Sequence, residues 1–355
     1  MSKVTIDIAG AGPAGLAAAI VLARHGLPVR VLERSHCVGS RFNDDLQGLE
    51  NWSDACDIHQ EFRGLGIEPT WWYRAASGGE LFDASLRGTA VRSSRPLFYF
   101  VRRGAVFAES LDNALLRQAR ELGVEVRFRH KAEPAAVRIH AGGPTGRPMA
   151  VVRGMTFRTD QPDMACTILS DRLAPKGYAY FLVADGQATL ATVLLSRFLE
   201  SNACLGETVR AVQHLYGVRV PNHAPRWGGY ASFRIPKSAI RGGTCLAGEA
   251  AGFQDALFGF GLRSAIVSGA LAALSLIKGD DYDEAWRARL LPQLKASQVN
   301  RILYNRVPFA PGMFWHLMRA VTGGDRVLHH LYRGTLAHRL ASPLVWLDSR
   351  RNGGG

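Results

Sequence analysis

Three glycines near the start of the chain have the spacing of a pyrophosphate-binding loop. Gly10, Gly12 and Gly15 form G-x-G-x-x-G directly after a short apolar stretch. The first glycine allows a tight turn, the second lets the backbone approach a phosphate, and the third lets a helix pack close to a strand. A helix that begins here directs the positive end of its dipole at the phosphate charge. The spacing therefore predicts a dinucleotide site.

The residues around this motif predict a strand, turn, helix and strand in succession. Apolar strands are expected over residues 4–9 and 28–33, with a helix of small residues between them. Glu33 ends the second strand, where a carboxylate can accept a hydrogen bond from a ribose 2′-hydroxyl. A carboxylate at this position favours NAD or the ADP half of FAD over NADP. The residues predicted to hold this part of the dinucleotide are Gly10, Ala11, Gly12, Pro13, Ala14, Gly15, Glu33 and Arg34.

A second glycine-rich segment, GEAAGFQDALFGFGL, begins at Gly248 and leads into another helix of small residues. An NAD-dependent enzyme needs no such segment, whereas FAD is long enough to need a second contact beyond its ADP half. Glu249 can accept hydrogen bonds from the ribityl chain, and the helix from Leu262 can stabilise negative charge on the reduced flavin ring. The predicted cofactor is therefore FAD. Its further contacts are Ser40, Arg41, Arg103, Gly248, Glu249, Gly252, Gly259, Phe260, Gly261 and Leu262.

These motifs resemble the geranylgeranyl reductase family, within the para-hydroxybenzoate hydroxylase-like superfamily of FAD-dependent oxidoreductases. The resemblance lies first in GEAAGF, GFGL and SGALAA. Two longer segments also resemble the family: the one from Phe100, in which an arginine precedes a predicted helix, and the one from Leu173. It spans residues 1 to about 280. Glu249 stands where the family has aspartate, which keeps the carboxylate but lengthens its reach.

The resemblance implies the reduction of carbon–carbon double bonds in an isoprenoid or other apolar substrate, by hydride transfer from reduced flavin. One alternative is a flavin-dependent monooxygenase that hydroxylates or epoxidises through a C4a-hydroperoxide. A further alternative is a non-catalytic flavin- or lipid-binding protein. The electron donor implied is NAD(P)H or a reduced electron-carrier protein. The residues identify no catalytic acid or base.

Aromatic residues in two segments are candidates for the substrate pocket. Tyr178 and Tyr180 match the first and third positions of the family's Y-x-W-x-F segment, with Tyr180 in place of tryptophan, and Phe181 follows directly as the third candidate. Phe253 and Phe258 lie beside the second glycine-rich loop. Packing in the protein core is the alternative for these phenylalanines.

The order of predicted elements indicates an α/β fold with three parts. A Rossmann-like FAD-binding domain is expected over residues 1–70, 100–160 and 225–280. An antiparallel-sheet substrate domain is inserted as residues 71–99 and 161–224. Residues 281–355 form a helical, basic C-terminal region, which either packs on the body or touches an anionic membrane surface.

Charge and composition bear on the partners, the cellular compartment and metal binding. The net charge is +13, but no nucleic-acid-binding motif accompanies it, so no nucleic-acid partner is expected. Five dispersed cysteines predict free thiols in a reducing compartment. We therefore expect a cytoplasmic protein, with peripheral contact at the inner face of the membrane as an alternative. No metal site is expected, and the pair His329–His330 is interpreted as a surface or packing feature.

Overall fold

The computed structural model describes residues 4–306 and 324–332, which contain three sheets with helices packed around them. The first sheet has six strands and is parallel except for one antiparallel pair at its edge. In spatial order these strands are β15 (Ile240–Arg241), β16 (Thr244–Leu246), β9 (Ile139–His140), β1 (Ile6–Ala9), β2 (Val29–Glu33) and β8 (Glu125–Phe128). Ile8 and Val31 are fully buried because helices cover the central strands.

Three helices pack on this sheet: α1 (Pro13–Arg24), α3 (Leu111–Glu121) and α5 (Leu262–Lys278). Helices α1 and α5 cross at very short range, since a Cβ atom at Gly269 would lie 2.0 Å from the Ala14 carbonyl oxygen. Helix α3 begins after Ser110, whose hydroxyl accepts a hydrogen bond from the Asn113 N–H at 3.2 Å. The first glycine motif begins between β1 and α1, and β2 follows α1, so the motif lies in the predicted strand–helix–strand unit.

The second sheet has seven strands and is antiparallel apart from one parallel pair. In spatial order they are β14 (Arg226–Ala231), β10 (Ala150–Arg158), β13 (Gln187–Leu194), β12 (Tyr178–Ala184), β11 (Met164–Ile168), β5 (Gly78–Phe82) and β6 (Gly88–Arg92). Helix α4 (Ser201–Tyr216) packs on one face of this sheet. The α/β fold with a Rossmann-like unit and an antiparallel sheet is thus confirmed.

Two predicted domain boundaries do not follow the sheets. Strand β10 falls within residues 100–160 and β14 within residues 225–280, both of which were assigned to the FAD-binding domain. Both strands instead pair with each other in the antiparallel sheet, where β10 also pairs with β13. The chain returns to the parallel sheet only at β15. The sequence pattern could not show this, because it indicates strands without indicating their partners.

A third, three-stranded antiparallel sheet was not predicted as a separate unit. It consists of β3 (Leu46–Glu50), β7 (Phe98–Arg102) and β4 (Tyr73–Ala76), with β7 in the centre. Helix α2 (Ile58–Gly64) follows β3 along the chain. Leu46, Leu49 and Val101 are fully buried.

The described part of the C-terminal region is helical, as predicted. The described residues here form α6 (Tyr282–Arg289), α7 (Leu291–Arg306) and a third described helix, here named α8 (Gly324–Tyr332). Residues 307–323 and 333–355 lie outside the described residues, so most of the expected membrane-contact surface does too. Among the described helices, none combines the length and apolarity needed to cross a membrane. The five cysteines are free thiols, as expected.

Candidate functional site

A cavity of about 630 Å³ brings the two glycine-rich loops together. This volume is within the usual range for small-molecule and cofactor sites, roughly 300–1,000 Å³. The cavity extends from the first loop, past the second, to the inner face of the seven-stranded sheet. The predicted residues that line it are Gly10, Ala11, Gly12, Pro13, Ala14, Glu33, Arg34, Ser40, Arg41, Arg103, Tyr178, Tyr180, Gly248, Glu249, Phe258, Gly259, Phe260, Gly261 and Leu262.

The first loop is shaped by close backbone contacts. Gly10 has φ +95°, and a Cβ atom there would lie 2.4 Å from the Ala141 carbonyl oxygen. At Gly12, by contrast, a Cβ atom would meet nothing within 4 Å. Because Gly12 lines the cavity, this open space is available to a ligand. The Glu33 carboxylate accepts a hydrogen bond from the Ala11 N–H at 2.7 Å, which ties the loop to the end of β2.

The second loop lies directly against the start of α1. A Cβ atom at Gly248 would be 3.0 Å from the Ala14 Cβ, and the Gly248 N–H donates to Ser268 Oγ at 2.9 Å. The segment of residues 254–261, here named the 254–261 loop, is closed by its own hydrogen bonds. The Asp255 N–H donates to the Phe260 carbonyl at 2.8 Å, and the Asp255 carboxylate accepts from the Phe258 N–H at 2.6 Å. The two glycine loops therefore form one continuous wall.

Two predicted cations lie at the cavity in different environments. Arg41 is half exposed, and its Nη2 lies 3.4 Å from Glu249 Oε2. Arg103 is buried and donates to both carboxylate oxygens of Asp112, at 2.8 and 2.9 Å. Burial opposes the charge on Arg103, but the attraction of Asp112 outweighs it and raises the Arg103 pKa. Arg41 can therefore reorient toward a ligand, whereas Arg103 is fixed.

Alternation along β12 separates the predicted aromatic residues. Tyr178 and Tyr180 face the cavity, and the Tyr178 hydroxyl donates to the Phe258 carbonyl in the 254–261 loop. Phe181 points to the opposite face, where its ring stacks on Phe157 with centroids 6.3 Å apart beneath α4. The prediction that Phe181 lines the pocket is therefore wrong, because successive residues of a strand face opposite sides.

Three further predicted residues do not line the cavity. Phe253 is fully buried, with its ring centroid 4.9 Å from that of Trp286, so its place in the pocket is also a wrong prediction. A Cβ atom at Gly252 would lie 2.2 Å from the Arg234 carbonyl oxygen, so this glycine serves a tight backbone contact. At Gly15 the Cβ atom would be 1.9 Å from the Gly10 carbonyl oxygen. Gly15 therefore packs the helix against the strand, as the motif predicts.

The end of the cavity away from the first loop is apolar, and most of its residues were not predicted. Trp52 follows β3, and its ring meets Phe260 edge-on with centroids 4.7 Å apart. This end of the cavity is named the apolar chamber below. The apolar side chains that define it are Leu81, Val91, Leu97, Phe98, Leu169 and Leu328. Alternation within the strands could have identified those on β5 and β6. No local pattern marks Trp52.

A buried charge cluster lies behind the first turn of α5. Arg263 is 2% exposed and donates to both carboxylate oxygens of Glu61, at 2.7 and 3.0 Å. Arg289 pairs with the same Glu61 and with Asp54. Glu50 lies close to Arg263, and its Oε2 is buried with no hydrogen-bond partner. Burial raises the pKa of Glu50 to about 8, against an attraction to Arg263 that lowers it.

The raised pKa of Glu50 predicts a pH-dependent stability. An unfolded glutamate has a pKa near 4.5, so folding requires Glu50 to take up a proton between pH 4.5 and about 8. The free energy of unfolding should therefore fall across this range, by on the order of 3 kcal/mol between pH 5 and 8. In Glu50→Gln this contribution is absent. Urea unfolding at pH 5 and at pH 8 measures this difference. The free energy of unfolding of Glu50→Gln, relative to that of the wild type, should be higher at pH 8 than at pH 5.

An exposed carboxylate supplies the control for this measurement. Glu125 lies on the edge strand β8, and Glu125→Gln should follow the wild-type pH dependence. A constant difference between Glu50→Gln and the wild type at the two pH values would contradict the raised pKa.

The shape and chemistry of the cavity fit FAD. One end offers a helix N-terminus, the open space at Gly12 and the Glu33 carboxylate, which suit a pyrophosphate and a ribose. The other end is aromatic and apolar, as a flavin ring and an apolar substrate require. Within residues 4–306 and 324–332, no group of histidine, cysteine, aspartate or glutamate side chains could hold a metal ion.

Known proteins resemble this chain at the first glycine motif and over most of its length. Residues 8–48 match a family model described as an NAD(P)-binding Rossmann-like domain. The chain is 24% identical to a digeranylgeranylglycerophospholipid reductase from Methanosphaerula palustris, with 79% of this chain and 81% of that protein covered.

Two solved structures share the fold across nearly the whole chain. One is a geranylgeranyl bacteriochlorophyll reductase-like protein from Thermoplasma acidophilum, with a TM-score of 0.67, 16% identity, and 99% and 100% of the two chains covered. The other is the flavin-dependent brominase Bmp2, with a TM-score of 0.69, 17% identity, and 98% and 100% covered. These findings agree with the resemblance carried by the sequence motifs: the chain is similar to a digeranylgeranylglycerophospholipid reductase and shares the fold of a geranylgeranyl reductase-like protein and of a flavin-dependent enzyme.

Proposed function

We propose that the protein is an FAD-dependent oxidoreductase that reduces carbon–carbon double bonds in an isoprenoid or similar apolar chain. The observation that carries this proposal is the continuity of the cavity. A dinucleotide-type loop lies at one end and the apolar chamber at the other. The similarity to a digeranylgeranylglycerophospholipid reductase supports an apolar substrate of the same class.

In this proposal the chain binds and orients the cofactor. The Glu33 carboxylate accepts from a ribose hydroxyl, and the backbone at Gly12 allows the pyrophosphate to approach. Glu249 accepts from the ribityl chain once Arg41 turns toward a phosphate. The N-terminus of α5 at Leu262 stabilises negative charge near the ring. When bound and reduced, FAD supplies the hydride, and a proton from solvent completes the addition across the double bond.

The other residues shape the substrate side. Tyr178 and Tyr180 form the sheet side of the site, and the Tyr178 hydrogen bond to Phe258 holds the 254–261 loop in place. The apolar chamber takes up the apolar chain of the substrate. Arg34, His130 and Lys131 lie on the cavity wall beside the first loop, where their charge suits the phosphates of the ADP half of FAD. The electron donor in this proposal is NAD(P)H or a reduced electron-carrier protein.

Mass spectrometry of the reaction product tests this function. The FAD-loaded protein is reduced with dithionite and mixed with a panel of unsaturated isoprenoids and lipids, with and without air. We expect the product to gain two hydrogens per reduced double bond in the absence of air. A product that gains one oxygen, and only in air, would contradict reduction and identify a monooxygenase. Protein without FAD is the control for direct reduction by dithionite.

A further inference from the structure

We propose that helix α8 closes the apolar chamber and that Leu328 limits the length of the apolar chain that the site accepts. This inference rests on the proposed function, in that an apolar chain is taken to occupy the chamber. It adds a specificity-determining residue from a region that lies beyond the resemblance noted in the sequence.

The side chain of Leu328 is part of the cavity wall. Leu328 lines the cavity, is 7% exposed, and belongs to one apolar cluster with Leu81, Leu97 and Leu169. These three residues come from β5, the segment before β7, and the segment after β11. Leu328 faces them from a different part of the chain, more than 150 residues later. Leu328 therefore adds to the chamber wall a side chain from outside the sheet.

Helix α8 is held by contacts to three separate parts of the protein. The Tyr332 hydroxyl donates to Asp255 Oδ1 at 2.9 Å, which joins α8 to the 254–261 loop. His329 Nδ1 lies 3.0 Å from the Trp52 carbonyl oxygen, and Asn300 of α7 donates to the Leu331 carbonyl at 2.7 Å. None of these bonds involves the Leu328 side chain.

Because the helix is fixed in this way, the size of residue 328 changes the chamber more than it changes the position of α8. Leu328→Ala removes three carbon atoms from the wall and lengthens the chamber. Leu328→Trp adds a ring that projects into it. Burial of each methylene group of a ligand raises its affinity by about fourfold. A substitution that changes the number of buried ligand carbons by two or more should therefore change the affinity by tenfold or more.

The test uses FAD-loaded protein and linear prenyl alcohols of one to four isoprene units. Affinity is measured with the flavin oxidised, from the change in flavin absorbance on titration, so binding is read without turnover. In the wild type we expect affinity to rise with chain length and then level off. Leu328→Trp should move this limit to a shorter chain and weaken binding of the longest alcohol by at least tenfold. Leu328→Ala should move the limit to a longer chain.

Leu303 provides a matched control, because it lies on α7 at 39% exposure and outside the cavity. Leu303→Ala and Leu303→Trp should keep the wild-type length profile. Circular dichroism and FAD content verify folding, and Leu328→Phe replaces the tryptophan variant if that one does not fold. A length limit in the wild type that the Leu328 variants leave unchanged would overturn the inference. A wild type that binds no prenyl alcohol and reduces none would instead contradict the proposed function.

Discussion

Gly12→Ala is expected to give a folded protein that has lost most of its affinity for FAD. The backbone of Gly12 has φ −81° and ψ 179°, which alanine adopts without strain. The added methyl group meets no protein atom within 4 Å, but it occupies the open space where we place the pyrophosphate. We expect the FAD dissociation constant to rise on the order of 100-fold. The melting temperature of the apoprotein should stay within about 2 °C of the wild type.

Substitutions at two other glycines serve as comparisons for Gly12→Ala. Gly15→Ala places a methyl group 1.9 Å from the Gly10 carbonyl oxygen, so it should lower both the stability of the apoprotein and FAD binding. Gly64 ends α2, is exposed, and also has open space around a Cβ atom, but it lies outside the cavity. Gly64→Ala should therefore leave FAD affinity unchanged. Wild-type FAD affinity in Gly12→Ala would contradict the placement of the pyrophosphate.

Arg263→Met is expected to lower the free energy of unfolding by about 3–5 kcal/mol, because it leaves buried carboxylates without their main cation. Glu61 loses two hydrogen bonds, and Glu50 loses the attraction that partly offsets its burial. The first turn of α5 carries both Arg263 and the cavity residue Leu262. FAD affinity should therefore fall as well. Urea unfolding of the apoprotein and FAD titration measure the two effects separately.

Arg289 offers the comparison for this variant, since it pairs with the same Glu61 and Asp54 but is 34% exposed at its side chain. Solvent screens its interactions, so Arg289→Met should cost only about 1 kcal/mol. Equal losses in the free energy of unfolding of the two variants would contradict the expectation that the buried Arg263 stabilises the cluster more than Arg289 does.

The sequence predicted the parts of the site that are local along the chain. Gly10 to Gly15 and Gly248 to Leu262 each combine a turn with a helix start, and both have the predicted secondary structure. Glu33 is at the end of β2, as its distance from the motif indicates. These features follow from short-range constraints, since glycines and helix starts act within a few residues of each other.

The errors and omissions come from contacts between distant segments. Phe181 directly follows the tyrosines of the family motif, yet its strand register turns it toward α4. Phe253 lies in the same segment as Phe258, but a turn directs it to Trp286. Trp52 and Leu328 belong to one apolar cluster at the cavity although 276 residues separate them in the chain. Strand pairing and helix docking decide these positions, and neither can be read from periodicity alone.

Titration of the purified apoprotein with FAD, FMN and NAD⁺ is the measurement that decides whether the cavity is an FAD site. We expect one FAD bound per chain, with FMN much weaker because it lacks the ADP half that meets Glu33 and the first loop. NAD⁺ should also bind more weakly than FAD, since it makes no contact with the 254–261 loop. Failure to bind FAD, or equal affinity for FMN and FAD, would contradict the assignment of the cavity.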